Sequence, residues 1–355
     1  MPNTPSLLSV KHLKKYFPLA RGGMFRPRSI LRAVEDISLD IRRGETFGLV
    51  GESGCGKSTF GRTVLQLYKP TAGSVLYYGA NHLQTDAPNK EQGLDLTQCT
   101  AKQMRTLRKD LQIIFQDPYS SLDPRMTVGQ IIEEGVATHG FYRRGSAQMR
   151  DYVVKIMRDC GLQDYALHRY PHQFSGGQRQ RICIARALAV RPKFVLCDEC
   201  VSALDVSIQS QILNLLTKLK EKEGLTYLFI SHDLSVVRHV SDRIGVMYLG
   251  RIVELGDAER VFSAPLHPYT IALISAIPDL NQNRGEQILL PGNMPSASTP
   301  IQGCPFAGRC FMAQSLCHTE PPTLEEVESG RFVACHFARE STEIKRKKAK
   351  ENSEK

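Results

Sequence analysis

Residues 46–59, with the sequence TFGLVGESGCGKST, decide the fold of this chain. The apolar run that ends at Val50 predicts a short buried strand, and the glycines that follow allow a tight turn. Gly51–Ser58 matches the phosphate-binding loop pattern G-x-x-x-x-G-K-S in full. In such a loop, backbone N–H groups converge on phosphate oxygens, and the next helix presents its positive end to them. We therefore expect Lys57 to contact the terminal phosphates of a nucleotide and Ser58 to ligate Mg²⁺.

A second apolar run ends in two carboxylates. Residues 194–199 read FVLCDE, which predicts a buried strand with Asp198 and Glu199 at its tip. Beside a phosphate loop, Asp198 can hold Mg²⁺ directly or through water. Glu199 can act as the general base that polarises the attacking water. An apolar run followed by Asp-Glu is common, and it becomes specific only together with the phosphate loop.

Between these motifs, residues 174–180 read FSGGQRQ and open a predicted helix. Ser175 is its candidate N-cap, and Ile182, Ala185 and Leu188 share an apolar face. A helix start with two glycines and bare N–H groups is a second candidate anion site. A plain capped helix without a ligand is the alternative interpretation.

Composition and charge limit the class of protein. The chain has 355 residues, of which 41% are hydrophobic and 23% charged, which indicates one large folded domain with an appendage. The net charge of +10 allows a partner with phosphate groups or an anionic membrane surface. There is no apolar run long enough to span a bilayer and no secretory signal at the N-terminus. We therefore expect a cytosolic protein with reduced thiols.

Strands and helices alternate along the chain, which predicts a parallel sheet covered on both faces. The helical pattern of residues 208–219 lies between two apolar runs that predict strands. Residues 246–254 predict a hairpin around Leu249-Gly250. Helical spacing also appears in residues 125–170 and 256–277.

Six motifs in one order over residues 1–250 resemble the nucleotide-binding subunits of ATP-binding-cassette (ABC) transporters. They are the phosphate loop, Gln116 after a strand, SGGQ (175–178), Asp198-Glu199, SALD (202–205) and His232 after a strand. Further similarity narrows the resemblance to the dipeptide/oligopeptide importer ATPases, closest to the second ATPase of the pair, the DppF/OppF type. It is carried by GESGCGKST (51–59), QDPYSSLDPR (116–125), RYPHQFSGGQRQR (169–181) and HPYT (267–270).

The resemblance implies an α/β fold, namely a P-loop NTPase ABC cassette. Its RecA-like core with an N-terminal antiparallel β part would comprise residues 1–117 and 190–275. Residues 118–189 would form a helical subdomain with the signature motif. Residues 276–340 would form a C-terminal extension with four cysteines, and 341–355 a basic disordered tail.

The resemblance also implies a site shared by two chains. Such cassettes form head-to-tail dimers, in which the phosphate loop of one subunit and the signature of the other hold each ATP. The implied ATP-binding residues are Phe17, Gly51, Glu52, Ser53, Gly54, Cys55, Gly56, Lys57, Ser58, Thr59, Ser175, Gly176, Gly177, Gln178 and Asp205. Phe17, in preference to its neighbour Tyr16, would stack on adenine. The alternative interpretation is that Phe17 is an aromatic residue of the core without contact to a nucleotide.

Three residues take catalytic roles by the same resemblance. Glu199 would be the base, and His232 would hold the γ-phosphate and order the water. Gln116 would sense Mg²⁺ and the water and link to the membrane subunits; Ser58, Gln116 and Asp198 would be the Mg²⁺ ligands. The family usually has proline after the glutamate, where this chain has Cys200. Proline would stiffen that turn, so Cys200 bears on turnover rate and not on ATP binding. The alternative interpretation is tolerated drift, because that proline does no chemistry.

The four C-terminal cysteines are Cys304, Cys310, Cys317 and Cys335, with gaps of five, six and seventeen residues. Four thiolates can bind a [4Fe–4S] cluster or Zn²⁺, and the spacing does not settle which. The resemblance implies a [4Fe–4S] cluster, which we favour over Zn²⁺, with unligated buried thiols as the third interpretation. Its expected role is to hold together a weakly hydrophobic extension.

The function implied is ATP hydrolysis that energises import of dipeptides or oligopeptides. Expected partners are two transmembrane permeases, a second ABC ATPase and, indirectly, an extracytoplasmic solute-binding protein. We expect a heterodimer with that second ATPase in preference to a homodimer of this chain. The chain would lie peripherally on the cytoplasmic face of the cell membrane. Importers of nickel or antimicrobial peptides are alternatives. A soluble ABC ATPase acting on nucleic acid would suit the positive charge but would need long insertions that are absent before Ser175, so no nucleic-acid partner is expected.

Overall fold

The computed structural model describes residues 4–19, 30–79, 93–277, 287–299 and 301–339. The strands are β1 (Ser6–Pro18), β2 (Ile30–Arg42), β3 (Thr46–Val50), β4 (Ala72–Tyr77), β5 (Leu94–Asp95), β6 (Leu111–Ile114), β7 (Phe194–Asp198), β8 (Thr226–Ile230), β9 (Arg243–Tyr248), β10 (Arg251–Asp257), β11 (Glu325–Glu328) and β12 (Arg331–Val333). The predicted tail, 341–355, lies outside the described residues.

The helices begin and end at residues that suit those positions. They are α1 (Lys57–Val64), α2 (Ala101–Leu107), α3 (Val128–Thr138), α4 (Ala147–Asp159), α5 (Gly176–Leu188), α6 (Val206–Glu223), α7 (Leu234–Val240), α8 (Ala258–Ser263), α9 (Pro268–Ser275) and α10 (Ser315–Thr319). Thr127 and Gln130 form a capping box at the start of α3. Gly224, in the left-handed conformation, ends α6. None of the described helices is long and apolar enough to cross a membrane.

The chain divides into two compact units. The first unit contains residues 1–9, 40–46 and 75–230, and the second contains residues 10–39, 47–74 and 231–355. A four-stranded sheet has the order β2-β1-β4-β5.

In the first unit, β6, β7 and β8 are parallel neighbours. Leu111 lies opposite Phe194, and Phe194 lies opposite Thr226. Every residue of β7 and β8 is buried, as expected for strands covered on both faces. The helical pattern of 125–170 contains two separate helices, α3 and α4, which pack with α5. The carboxyl ends of the parallel strands lie at one edge, where Asp198 is opposite Ile230.

In the second unit, β3 is parallel to β9, with Val50 opposite Val246. β9 and β10 form the predicted hairpin, and its turn residues Leu249 and Gly250 both have positive φ. The C-terminal segment also joins this sheet, although no pattern in its sequence predicts a strand there. β12 pairs with β10, and β11 pairs with β12, all antiparallel.

Candidate nucleotide site

The phosphate loop follows β3 directly, and its glycines are required by backbone geometry. Gly51, Gly54 and Gly56 all have positive φ, which L-residues rarely adopt. A Cβ at Gly51 would lie 2.2 Å from the carbonyl oxygen of Met247. A Cβ at Gly56 would lie 2.0 Å from the carbonyl oxygen of Ala33. The loop therefore runs against neighbouring backbone in a shape that only glycine permits. Helix α1 starts immediately after it, at Lys57.

Lys57 is buried and its ammonium group lies across the loop. Its Nζ donates hydrogen bonds to the carbonyl oxygens of Gly51 at 2.7 Å and Glu52 at 3.0 Å. The Cys55 thiol is also buried, and burial raises its pKa. Cys55 is therefore a packed thiol at neutral pH, while Lys57 supplies positive charge at the start of α1.

The phosphate loop is also hydrogen-bonded to residues that no sequence motif marks as part of the site. The backbone N–H of Glu52 donates to Tyr269 Oη at 2.8 Å, and Gly250 N–H donates to the Cys55 carbonyl at 2.9 Å. The Glu52 carboxylate accepts two hydrogen bonds from Arg309, at 2.9 and 3.1 Å. Tyr269 belongs to the HPYT motif, which served above only as a mark of family. Arg309 carries no motif that could have identified it.

Phe17 and His232 lie in the same unit as the phosphate loop. Phe17 is half-buried, with its ring edge-on to Tyr68 at 5.6 Å. The Tyr16 hydroxyl instead donates to the Glu35 carboxylate at 2.7 Å, and burial together with that carboxylate raises the Tyr16 pKa to about 12. His232 is exposed and follows Ser231, whose N–H donates to the carbonyl of Leu49 in β3.

In the first unit, the structure brings Gln116 and Glu199 together. Gln116 Nε2 donates to Glu199 Oε2 at 3.0 Å. Glu199 follows the buried Asp198 and has φ of 49°, a left-handed conformation that turns the chain away from β7. Its N–H donates to the carbonyl of Ile230 in the neighbouring strand β8, and its carbonyl accepts from Ser202. The half-buried carboxylate is thus aimed by a strained turn and by Gln116.

Cys200, where the family usually has proline, is buried beside Cys197. A hydrogen bond between the two thiols and burial raise the pKa of Cys197 well above its ordinary value. Cys197 therefore packs as a neutral thiol beside Cys200.

The signature segment begins α5 as predicted, with Ser175 as the N-cap. Ser175 Oγ accepts from Gln178 N–H, and Gln178 Oε1 accepts from Ser175 N–H, which forms a capping box. Ser175, Gly176 and Gln178 are exposed. A Cβ at Gly177 would lie 2.5 Å from Ile208 Cγ2, so this glycine also permits α5 to approach α6. Asp205, the N-cap residue of α6, is exposed as well.

The four C-terminal cysteines line a single cavity. Its walls include Cys304, Cys310, Cys317, Cys335, Phe306 and His267. Burial raises the pKa of Cys310 to about 11 and that of Cys335 to about 12. Among the described residues, no three or more His, Cys, Asp or Glu side chains are arranged as metal ligands. The donor atoms suit a four-thiolate site, but their spacing in this structure does not support a [4Fe–4S] cluster or Zn²⁺.

Comparison with known proteins agrees with this geometry. The family profile "ABC transporter" matches residues 34–202, and "Oligopeptide/dipeptide transporter, C-terminal region" matches residues 253–317. The chain is 45% identical over 340 residues to the oligopeptide transport ATP-binding protein AppF of Bacillus subtilis, covering 94% of this chain and 98% of that protein. It is 45% identical over 334 residues to the dipeptide transport ATP-binding protein DppF of Haemophilus influenzae, covering 94% and 97%.

Two solved structures of one cassette, MJ0796, are similar in fold. One is described as a dimeric bacterial ABC transporter cassette, and the other as its dimeric post-hydrolysis state bound to ADP and Pi. Both have 27% sequence identity and a TM-score of 0.58, and cover 71% of this chain and 98% of the solved chain. The end-to-end identity with AppF and DppF decides the assignment: this chain is an ABC-type ATPase and belongs to the ATP-binding proteins of the ABC transporter family, in the oligopeptide/dipeptide branch of DppF/OppF type.

Proposed function

We propose that this chain hydrolyses ATP to energise import of dipeptides or oligopeptides through a membrane ABC transporter. The observation that carries the proposal is the 45% identity, over 94% of the chain, to an oligopeptide transport ATP-binding protein. The glycine cradle at residues 51–56 and the buried Lys57 support nucleotide binding in this chain itself.

Each candidate site residue has a distinct role in the proposed hydrolysis. Lys57 and the loop N–H groups bind the β- and γ-phosphates. Ser58, Asp198 and Gln116 are the ligands proposed for Mg²⁺, which when bound neutralises charge that develops on the phosphates. Glu199 accepts a proton from the attacking water, and its 3.0 Å hydrogen bond from Gln116 orients the carboxylate.

His232 is the residue proposed to hold the γ-phosphate, because an imidazole can donate to a γ-phosphate oxygen and order the water. Phe17 is the proposed adenine platform. Its neighbour Tyr16 is already engaged by Glu35, which favours Phe17 for stacking.

We propose a head-to-tail dimer in which Ser175, Gly176, Gly177 and Gln178 contact the ATP held by the opposing loop. The exposed start of α5 supports this arrangement, since the positive dipole end of a helix suits a phosphate. The dimeric state of the MJ0796 cassette also supports it. Asp205, exposed at the start of α6, is proposed to connect the two sites.

The domain division remains part of this proposal. Residues 1–117 and 190–275 form the core, 118–189 the helical subdomain, 276–340 the extension and 341–355 the basic tail. The partners proposed are two permeases, a sister ABC ATPase in a heterodimer and, indirectly, a solute-binding protein. The chain then lies peripherally on the cytoplasmic face of the membrane.

The four cysteines of the extension are proposed ligands of a [4Fe–4S] cluster, with Zn²⁺ as the alternative. Their shared cavity supports the proposal. Bound metal would require the four sulfurs to draw together and lose their protons. Protein purified without oxygen should contain iron and show absorbance that dithionite bleaches. Cys335→Ser should abolish that absorbance, whereas Cys99→Ser should not. Stoichiometric zinc without iron would overturn the cluster.

The transport proposal is tested with Glu199→Gln in cells that depend on this chain. Uptake of a radiolabelled dipeptide and ATPase activity of the purified protein should both be lost, because the glutamine cannot accept a proton. Binding of MgATP should persist. Near-normal hydrolysis would reject Glu199 as the base. Normal dipeptide uptake in cells lacking the chain would reject peptide import.

A further inference from the structure

One side chain of the C-terminal segment, Arg309, forms an ion pair with the phosphate loop. Arg309 lies in the second unit, as does Glu52, the second residue of the loop. The Nη1 and Nη2 atoms of Arg309 donate to the two carboxylate oxygens of Glu52, at 2.9 and 3.1 Å. This paired geometry is the strongest arrangement between a guanidinium and a carboxylate.

The rest of the Arg309 side chain is also held in place. It is 8% exposed, and its Nε donates to the carbonyl of Pro291 at 3.2 Å. Its guanidinium carbon lies 6.0 Å from the centre of the Tyr248 ring. The position of the guanidinium is therefore set by its surroundings, and it presents a fixed fork to Glu52.

The backbone of Glu52 is fixed by the same part of the fold. Its N–H donates to Tyr269 Oη at 2.8 Å. The Tyr269 ring packs on Phe306, at 5.4 Å between ring centres. Phe306 immediately precedes one short helical turn of the C-terminal segment, Ala307–Arg309, and Arg309 ends it. This turn thus holds both the side chain and the main chain of Glu52.

The charge of Glu52 explains why this contact matters. A carboxylate in a loop that binds the phosphates of ATP repels them unless a cation cancels its charge. Glu52 keeps 27% of its side chain exposed, so water and salt screen the repulsion only in part. Arg309 is the ion-pair partner that the described structure provides for it.

We propose that Arg309 is a positioning residue for nucleotide binding, which cancels the charge of Glu52 and holds the phosphate loop in its receptive shape. The inference rests on the proposed binding of ATP by this loop. It makes the C-terminal segment, 257 residues along the chain from Glu52, part of the nucleotide site.

The test is a double-mutant cycle with four full-length proteins: wild type, Arg309→Ala, Glu52→Gln and the double variant. Isothermal titration calorimetry with MgATP gives the dissociation constant of each. Arg309→Ala should bind MgATP about tenfold more weakly, and this loss should shrink at high salt. In the Glu52→Gln background, the same Arg309→Ala change should cost less than about twofold, because no charge is left to cancel.

Arg260→Ala is the matched control, because Arg260 forms an exposed 2.7 Å ion pair in the same unit with Glu328, which is not a residue of the loop. It should bind MgATP as wild type does. Equal binding by Arg309→Ala and wild type would overturn the inference. So would an equal loss in both backgrounds, which would mean that Arg309 acts only through general stability. Failure of the wild-type protein to bind MgATP would instead reject the proposed function.

Discussion

The buried ion pair between Arg331 and Glu254 allows a prediction of stability whose size follows from burial. Glu254 is fully buried in β10, and Arg331, in β12, is 3% exposed. The Glu254 carboxylate accepts from Arg331 at 2.7 Å and from the N–H groups of Leu266 and His267 at 3.0 and 2.9 Å. Arg331→Ala would leave this carboxylate buried with only two neutral donors. Removing one partner of a buried pair costs about 3–5 kcal/mol.

A second pair in the same unit has the same length but is exposed. Arg260 and Glu328 are also 2.7 Å apart, yet about half of each side chain is exposed. Arg260→Ala should therefore cost less than about 1 kcal/mol. Urea unfolding of both variants, followed by circular dichroism, gives the two losses in free energy of unfolding. Equal losses would refute the reasoning, because distance and not burial would then set the energy. Arg331→Met separates charge from packing, because methionine fills much of the space of arginine but leaves Glu254 without its cation. If the loss in free energy of unfolding is much smaller than for Arg331→Ala, packing and not the ion pair sets the energy.

Three further predictions concern the site and its supports. Lys57→Ala should weaken MgATP binding by at least about tenfold, because the loop loses its one ammonium group; unchanged affinity in calorimetry would exclude Lys57 from the phosphate site. Gly177→Ala should destabilise the fold by about 1–3 kcal/mol, since the new Cβ would meet Ile208 at 2.5 Å. Ile208→Ala in the same protein should recover part of that loss in urea unfolding. Burial lowers the pKa of His267 to about 3, so the unfolded chain, with a histidine pKa near 6.5, binds the proton more tightly. Its contribution to stability is therefore present above about pH 6.5 and lost as the pH falls toward 3, and His267→Gln should flatten that part of the pH profile. A profile that does not change would show that His267 is not buried in its neutral form.

Motifs that act through local backbone geometry were predicted well. Ser175 is the N-cap of α5 as expected, and it also forms a capping box with Gln178, since both partners lie within one helical turn. Helix α1 ends at Val64, and Gln66, two residues further on, adopts a left-handed φ of 56°. Apolar spacing marks which residues are buried in a helix, but the point at which the chain must turn depends on what the next strand pairs with.

Contacts between distant segments were not predictable. The hydrogen bond between Gln116 and Glu199 joins residues 83 positions apart, and no local pattern sets that distance. The pairing of β12 with β10 was missed because Arg331–Val333 is too short and mixed to be recognised as a strand. In the structure, the buried ion pair of Arg331 with Glu254 and the packing of Val333 against Leu266 and Ala338 stabilise this short strand.

The amino-acid sequence alone determined the kind of protein. Its glycines, Lys57 and the serine-led helix start have chemistry that depends on residues a few positions apart, and their order along the chain marked the family. The tertiary structure decided what surrounds those motifs: Arg309 on Glu52, Tyr269 under the loop, and four cysteines around one cavity. The physical reason is that charge cancellation and burial depend on distances in space, and folding brings together side chains whose separation in sequence carries no trace of the contact.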